Sequence, residues 1–515
     1  MSITIRPEPV ADEAVRSVDT TRRYDAVCVA VFAAAFSAAG AARPSLWFDE
    51  AATISASTRS VPELWRMLGN IDAVHGLYYL IMHGWFAAFP ATEFWSRLSS
   101  ALAVGLAAAG VVALGRRLST RPVGVAAGVV FALLPRVTWA GIETRSYALT
   151  MVAGVWLTVL CVTAIRRNRP GYWAGYAALM AAGVLLNVFV VVLVAVHAVV
   201  VAVLADSRAV RWRWVLAALA SSAAVTPFLL FAQTQLFQVG WISPLGSQTI
   251  GKILQEQYFD HSLLFAVLTG VVLAAALLCH SWSGMSAGER PGRLVAITVA
   301  WMAIPTVALL VYSVLRHPIY YPRYLSFTAP AIALLIGLSV VLVGRSRAGI
   351  TVVLMVFAVA ATPNYLVQRG PYAKEGMDYS QVADVITRHA APGDCLVMDN
   401  SAAWKPGPIR PLLSARPAAF AKLHDYGRGP SAVKRNRLWD AHIAVWTWAD
   451  KMPGCPVIWT VSERDPTLPD HQRGPLLSAG PRLARAMAYQ VPSRFGFHIV
   501  ERWQFSFAQV TKSVR

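Results

Sequence analysis

Charge is what this chain of 515 residues has least of. Only 14% of it is Asp, Glu, Lys or Arg, where a soluble protein of this length carries roughly a quarter. With 56% hydrophobic residues, that deficit excludes a cytosolic globular enzyme, a disordered scaffold and a low-complexity chain. Acidic residues are scarcer still, 27 against 46 basic ones, and the placement of that excess argues for membrane topology rather than nucleic acid. No Walker loop, dinucleotide fingerprint or zinc-spaced Cys/His set is present.

What is present is a series of uncharged apolar stretches at 26–42, 98–115, 122–135, 147–165, 171–205, 214–231, 262–279, 294–315, 325–344 and 348–366. Crossing roughly 30 Å of hydrocarbon takes about 20 helical residues. The stretch 171–205, 35 residues long, is too long for one crossing and is expected to fold back near Asn187 as two short helices. The stretch 122–135 is short for a span. The expectation is a polytopic α-helical membrane protein with about eleven transmembrane helices.

The connections carry the topology. Arg22/Arg23, Arg116/Arg117/Arg121, Arg166/Arg167/Arg169, Arg208/Arg211/Arg213, Arg290/Arg293 and Arg345/Arg347 fall in alternate loops, which the positive-inside rule places in the cytoplasm. The intervening loops (44–97, 136–146, 232–261, 316–324 and the turn near Asn187) are poorer in basic clusters and are expected outside. Segment 1–24 is then cytoplasmic, 25–368 is the membrane domain, and the tail 369–515 is extracytoplasmic. A multi-pass protein of the cytoplasmic (plasma) membrane follows. The long leader carries Glu8, Asp12, Glu13 and Asp19, which favours a retained first helix over a cleaved signal peptide.

Past Arg369 the sequence turns polar, with Pro/Gly punctuation. Periodicity predicts a helix over 378–389 with Val382, Val385 and Ile386 on one face. A turn at Pro392-Gly393-Asp394 and strands at 395–399, 456–461 and 497–510 complete a small α/β domain. Cys395 and Cys455 each adjoin the start of a predicted strand. If those strands are neighbours a disulfide is feasible in an oxidising compartment, and two buried thiols are the alternative. Cys28, Cys161 and Cys279 lie in apolar spans and read as small apolar side chains.

Polar chemistry collects in the outer loops. The first opens with Trp47-Phe48-Asp49-Glu50, two adjacent carboxylates at the membrane face that are costly there without a partner, although a solvated loop end is the commoner reading of such a pair. Val61, Leu64, Trp65 and Leu68 recur at helical spacing, as in a helix lying in the interface. His75-Gly76-Leu77-Tyr78-Tyr79 leads into a second amphipathic run ending near Phe89. The next loop places Glu143 and Arg145 at the start of a span, where Arg145 reads equally as headgroup anchor or ligand. The last, 316–324, concentrates Arg316, His317, Tyr320, Tyr321, Arg323 and Tyr324. Guanidinium with phenol suits phosphate, and an interfacial aromatic belt is the alternative.

Four motifs in order carry a resemblance: Asp49-Glu50 after the first helix, His75-x-Leu77-Tyr78-Tyr79, Glu143-Thr144-Arg145-Ser146-Tyr147-Ala148-Leu149, and Pro322-Arg323-Tyr324-Leu325. Together they resemble the C-type glycosyltransferase (GT-C) superfamily, in its protein-mannosyltransferase and aminoarabinose-transferase branch. The similarity covers most of the membrane part, and the tail looks like the outer domain of bacterial members. The Ala/Val/Arg-rich composition is similar to that of actinobacterial proteins. One departure is plain. The branch often reads His-Pro-Pro-Leu-Tyr-Tyr, and the missing prolines loosen the turn at His75.

The resemblance implies transfer of a sugar, with mannose the leading candidate, from a polyprenyl-phosphate donor to a glycolipid, glycan or protein acceptor of the cell envelope. Donor, acceptor and membrane lipid are the implied partners, and nucleic acid is not. A single displacement would invert the anomeric centre. The leaving phosphate needs cationic stabilisation, which Arg145 and Arg323 would supply with Tyr147 and Tyr324 as donors. His75, Tyr78, Tyr79 and His317 complete the implied donor-binding set. Asp49 is the expected base for the acceptor hydroxyl. Glu50 or Glu143 would orient the acceptor or help hold a divalent cation, for which Asp49, Glu50 and His75 are the ligands to consider; no other cofactor is implied. The competing class is a non-catalytic lipid or polysaccharide transporter or flippase. Against it, the spans carry almost no ionisable residue besides His197, whereas ion-coupled transport uses such groups at mid-membrane.

Overall fold

The computed structural model describes the backbone of residues 10–282, 291–400 and 410–515, with side chains from residue 24 onward except 280–282. The side chains of Arg22, Arg23 and Arg290, and those of the expected cytoplasmic segment apart from Tyr24, lie outside the described residues. The chain divides into two compact units, Met1–Ala39 with Leu98–Tyr365 and Gly40–Arg97 with Leu366–Arg515.

The first unit is helical. Among the described residues, six helices are long and apolar enough to cross a membrane: Glu93–Leu118, Tyr147–Arg167, Arg208–Gln233, Pro291–Leu315, Pro322–Gly344 and Arg347–Val367. Shorter apolar helices occupy Tyr24–Ala38, Arg121–Leu133, Val188–Leu204 and Leu263–Cys279. Several of the stretches expected to cross are therefore shorter helices among the described residues. Arg121–Leu133 shows the physical reason. It is buried along nearly its whole length and packs against the helix that ends at Gly344, so protein rather than lipid surrounds most of it. The long stretch 171–205 breaks at Asn187. Helix Pro170–Leu186 stops there, the Asn187 side chain accepts from the Phe189 amide at 3.0 Å, and helix Leu193–Leu204 follows.

Large apolar side chains on the outside of this unit, among them Leu216, Leu219, Leu264 and Leu277 (73% exposed), form a surface that water does not tolerate and lipid does. The protein is an integral membrane protein.

The second unit combines Gly40–Arg97 with the tail. The sequence reading assigned 44–97 to the membrane domain; the structure packs it with the tail. Leu46 N–H donates to Ser380 Oγ and Ser380 N–H to Ser45 Oγ, both at 3.0 Å, and Ser45 N–H reaches the Pro371 carbonyl at 2.8 Å. Arg59 donates to the carbonyls of Arg437 (2.6 Å) and Leu438 (3.3 Å). Within the loop, helix Val61–Leu68 starts with a capping box, Ser60 with Glu63. It buries Leu64, Met67 and Leu68 and leaves Trp65 76% exposed, the two-faced pattern read from its spacing.

The tail folds around a sheet of order β1-β2-β5-β4-β3, with β1 (Cys395–Met398) parallel to β2 (Ile458–Glu463) and the pairs among β2, β5 (Ala508–Val514), β4 (His498–Gln504) and β3 (His471–Leu477) antiparallel. Helix Tyr379–His389 buries Val382, Val385 and Ile386 in the core shared with β1 and β2. Two differences from the sequence reading emerge. The single strand expected over 497–510 is a hairpin, because its chain turns at 505–507. The buried Asp378 carboxylate accepts from the Phe507 and Ala508 amides there, at 2.8 and 2.7 Å. Burial pushes the Asp378 carboxyl up from its usual range, and these two donors oppose the shift. Strand β3 was not foreseen because it lies at the sheet edge, mostly exposed, and carries no apolar pattern.

Cys395 and Cys455 are joined as a disulfide, Cα atoms 5.7 Å apart, closing a loop with a sequence separation of 60. Cys28, Cys161 and Cys279 are free thiols. Replacing both bridged cysteines by serine is expected to destabilise the second unit by about 4 kcal/mol on a loop-entropy basis. Urea titration read by limited proteolysis of the tail checks this; an unchanged midpoint would refute it.

Candidate functional site

Asp49 and Glu50 occupy the first turn of helix Phe48–Ser57, where the helix N-terminus favours negative charge. Adjacent in sequence, they sit in different surroundings. Glu50 is fully buried, and Arg97 grips both of its oxygens, Nε to Oε1 at 2.8 Å and Nη2 to Oε2 at 2.6 Å. Asp49 is half-buried. A charge-assisted bidentate pair engages Glu50. Arg97 was missed from sequence: it lies 47 residues away and belongs to no motif. The available signal was a lone arginine directly before the uncharged stretch 98–115.

The His75 segment forms a short 3-10 turn, Ala73–His75, running into helix Gly76–Ala88. Gly76 stands where space is tight: a Cβ on it would meet Leu68 Cδ1 at 3.0 Å. Tyr78 and Tyr79 are both buried. Tyr79 donates its phenol to Asp72 at 2.7 Å, and the His75 ring lies 5.7 Å from that of Tyr79. Asp72 itself adopts a left-handed backbone, φ 61°. Among the described residues no group of three or more His, Cys, Asp or Glu side chains is arranged to hold a metal ion, so Asp49, Glu50 and His75 do not make such a set.

In the first unit, Glu143 and Arg145 lie in the buried connection before helix Tyr147–Arg167, and all three of Glu143, Arg145 and Tyr147 are buried. Ser100 Oγ donates to the Glu143 carbonyl at 2.6 Å, and the Tyr147 ring lies 5.4 Å from Trp139. Arg323 and Tyr324 stand on the 3-10 segment Pro322–Thr328. That segment packs against helix Tyr147–Arg167. The approach is close enough that a Cβ on Gly154 would meet the Phe327 carbonyl at 2.9 Å, which requires glycine there. Two motifs more than a hundred residues apart in sequence thus stand on elements that touch. The Arg323 guanidinium lies over the Tyr321 ring at 4.7 Å and the Trp241 ring at 5.9 Å. Tyr324 stacks on Phe189 at 5.5 Å. His317 is half-buried, with Nδ1 3.0 Å from the Pro318 carbonyl.

Residues that no motif named hold this unit's connections in place. Arg136 is buried, pairs with Asp260 at 3.0 Å, donates to the carbonyls of Glu256 and Gln257, and lies 5.0 Å from the Trp139 ring. Tyr320 donates to Gln257 Oε1 at 3.0 Å, and burial pushes its phenol above the usual range. The sequence signals were present only as an arginine beside Pro135 and an aromatic run in 316–324. A separate groove of about 290 Å³ is lined by Trp173, Ala177, Arg213 and Leu216 among others, and by none of the expected site residues. The groups present are thus a half-buried carboxylate on one helix, and guanidinium and phenol groups on or beside two packed elements; a carboxylate can accept a proton and a guanidinium can bind a phosphate.

No protein-family model and no curated protein matches this sequence. Among solved structures the chain is similar to ArnT from Cupriavidus metallidurans in the apo state, with TM-score 0.59 and 12% identity over 94% of this chain and 97% of that one. It is likewise similar to ArnT from the same organism bound to undecaprenyl phosphate, with TM-score 0.55, 12% identity and the same coverage. The likeness is one of fold: a polytopic α-helical membrane protein of ArnT-like fold with a C-terminal α/β domain.

Tyr79→Phe separates two roles for that residue. Removing the donor to a buried carboxylate is expected to cost about 2 kcal/mol of stability, read as a lowered unfolding midpoint. An unchanged midpoint with weakened donor binding would instead make Tyr79 a ligand contact.

Proposed function

We propose that this protein is a membrane glycosyltransferase that takes a sugar from a polyprenyl-phosphate donor and passes it to a cell-envelope acceptor at the extracytoplasmic face. The observation that supports it best is the likeness to ArnT over 94% of the chain, with the Arg145–Tyr147 and Arg323–Tyr324 motifs on elements packed against each other. A related fold bound to undecaprenyl phosphate makes a lipid phosphate the natural donor class. The extracytoplasmic placement of the tail rests on the alternation of basic loops and fits a disulfide-bonded domain.

In this reading one displacement does the chemistry. The acceptor oxygen forms a bond to the anomeric carbon as the bond from that carbon to the phosphate oxygen breaks, inverting the centre. The acceptor proton goes to Asp49, whose carboxylate is half-buried on the first turn of helix Phe48–Ser57. The departing phosphate is stable as an anion, so it needs positive charge rather than a general acid. Arg145 and Arg323 provide that charge, with Tyr147 and Tyr324 as hydrogen-bond donors. His75, Tyr78 and His317 belong to the proposed donor-binding set. Glu143 orients the acceptor. Mannose is the proposed sugar and a glycolipid the proposed acceptor, the latter because the His75 segment departs from the protein-mannosyltransferase pattern.

The test is purified, reconstituted protein with radiolabelled polyprenyl-phosphate mannose and candidate acceptors, with the product linkage determined. Asp49→Asn is expected to lower turnover by roughly 10²–10⁴-fold with membrane insertion and folding unchanged. Arg323→Lys is expected to raise the donor KM about tenfold through loss of bidentate and stacked contacts. Full activity in Asp49→Asn would remove it from the base role. Protein that carried labelled lipid across a bilayer and never cleaved it would establish a flippase in place of a transferase.

A further inference from the structure

Arg97 has no part in the chemistry above, yet few side chains in the molecule are as fully engaged. It is fully buried and spends its donors on one short stretch of chain. Nε and Nη2 hold the two oxygens of Glu50; Nη1 donates to the carbonyls of Ala41 at 2.7 Å and Pro44 at 2.8 Å; Nη2 also donates to that of Ser45 at 2.9 Å. A guanidinium has five N–H groups, and these contacts use every one.

Neutralising Glu50 would need only two of them. The other three fix the backbone that delivers the chain into helix Phe48–Ser57, while the carboxylate grip fixes the first turn of that helix from its other side. Asp49 lies between those anchors. We infer that Arg97 is the positioning residue for Asp49: its rigid fork sets where the 41–50 segment enters the helix, and so where the Asp49 carboxylate stands. The inference rests on the reading of Asp49 as the base. It also explains why the Asp-Glu pair is adjacent, since one carboxylate is the handle by which the other is placed.

A fork is needed for this, and a point charge is not enough. Lysine in place of Arg97 can still neutralise Glu50 but cannot reach two carboxylate oxygens and three carbonyls at once. Displacement of a catalytic group by about 1 Å costs on the order of 10²-fold in rate, whereas donor and acceptor affinity, which depend on other groups, should change little.

The experiment uses the full-length reconstituted protein as Arg97→Lys, Glu50→Gln and the double variant Arg97→Met/Glu50→Met, beside Asp49→Asn. Turnover, donor KM and thermal unfolding are measured on each. The double variant removes both buried charges together, a change that buried ion pairs commonly tolerate without loss of fold. Expected are a kcat about 10²-fold below wild type in Arg97→Lys and in the double variant, donor KM within about threefold, and an unfolding midpoint close to wild type in the double variant. The losses in the single variants and in the double variant should be of similar size, because they break one device. A double variant with wild-type kcat beside an inactive Asp49→Asn overturns the inference alone. Losses of kcat that match the fraction of unfolded protein in every variant make Arg97 merely structural and also overturn it. An active Asp49→Asn is a different result, since it removes the base assignment and the inference with it.

Discussion

The hydrocarbon interior of a membrane offers no hydrogen-bond partner, and most of this structure follows from that constraint. Backbone polar groups must be satisfied within each segment, so the first unit is built of helices. Ionisable side chains are expensive there, so the apolar stretches are almost free of them and the polar groups gather in the connections between helices. His197 is fully buried and lies within hydrogen-bond distance of both Thr158 and Tyr176, which makes it part of the packing rather than of a conduction path.

Buried arginines solve the complementary problem in the connections. Arg97 on Glu50, Arg136 on Asp260 and Arg410 on Asp425 each join a carboxylate and add backbone carbonyls. Such pairs are weak contributors to net stability, yet costly to break one partner at a time. Their effect is to define geometry: each ties irregular chain to a regular element at several points, which hydrophobic contact alone does not do. Arg323 is set differently. It lies across the faces of Tyr321 and Trp241.

Much of this architecture was legible in the residues. Deficit of charge marked the membrane, the interruption at Asn187 marked a break between helices, and the i, i+3, i+4, i+7 spacing of Val61, Leu64, Trp65 and Leu68 marked a two-faced helix. Helix Tyr379–His389 and the strands starting at Cys395 and Ile458 were readable from local periodicity. Less was legible where partners are distant. Length alone made 122–135 a doubtful span, because the packing that lets a buried helix be short is not visible along the chain. The tethers that bind residues 40–97 to the tail run through Ser45, Ser380, Arg59 and the carbonyls of Arg437 and Leu438, which form no pattern along the chain. The site was partly visible: four motifs were identified, while Arg97, Arg136, Trp241 and Gln257 were not.

The sequence by itself determined the solvent of this protein, the kind of element it is built from and the residue types available for chemistry, because burial in lipid and helical periodicity act on each segment separately. Only the tertiary structure decided that Glu50 is held by an arginine 47 residues away, that the motif containing Arg145 and the one containing Arg323 reach elements that touch, and that residues 40–97 fold with the tail. Those outcomes depend on pairings between residues tens to hundreds of positions apart, and distance along a chain carries no record of distance in space.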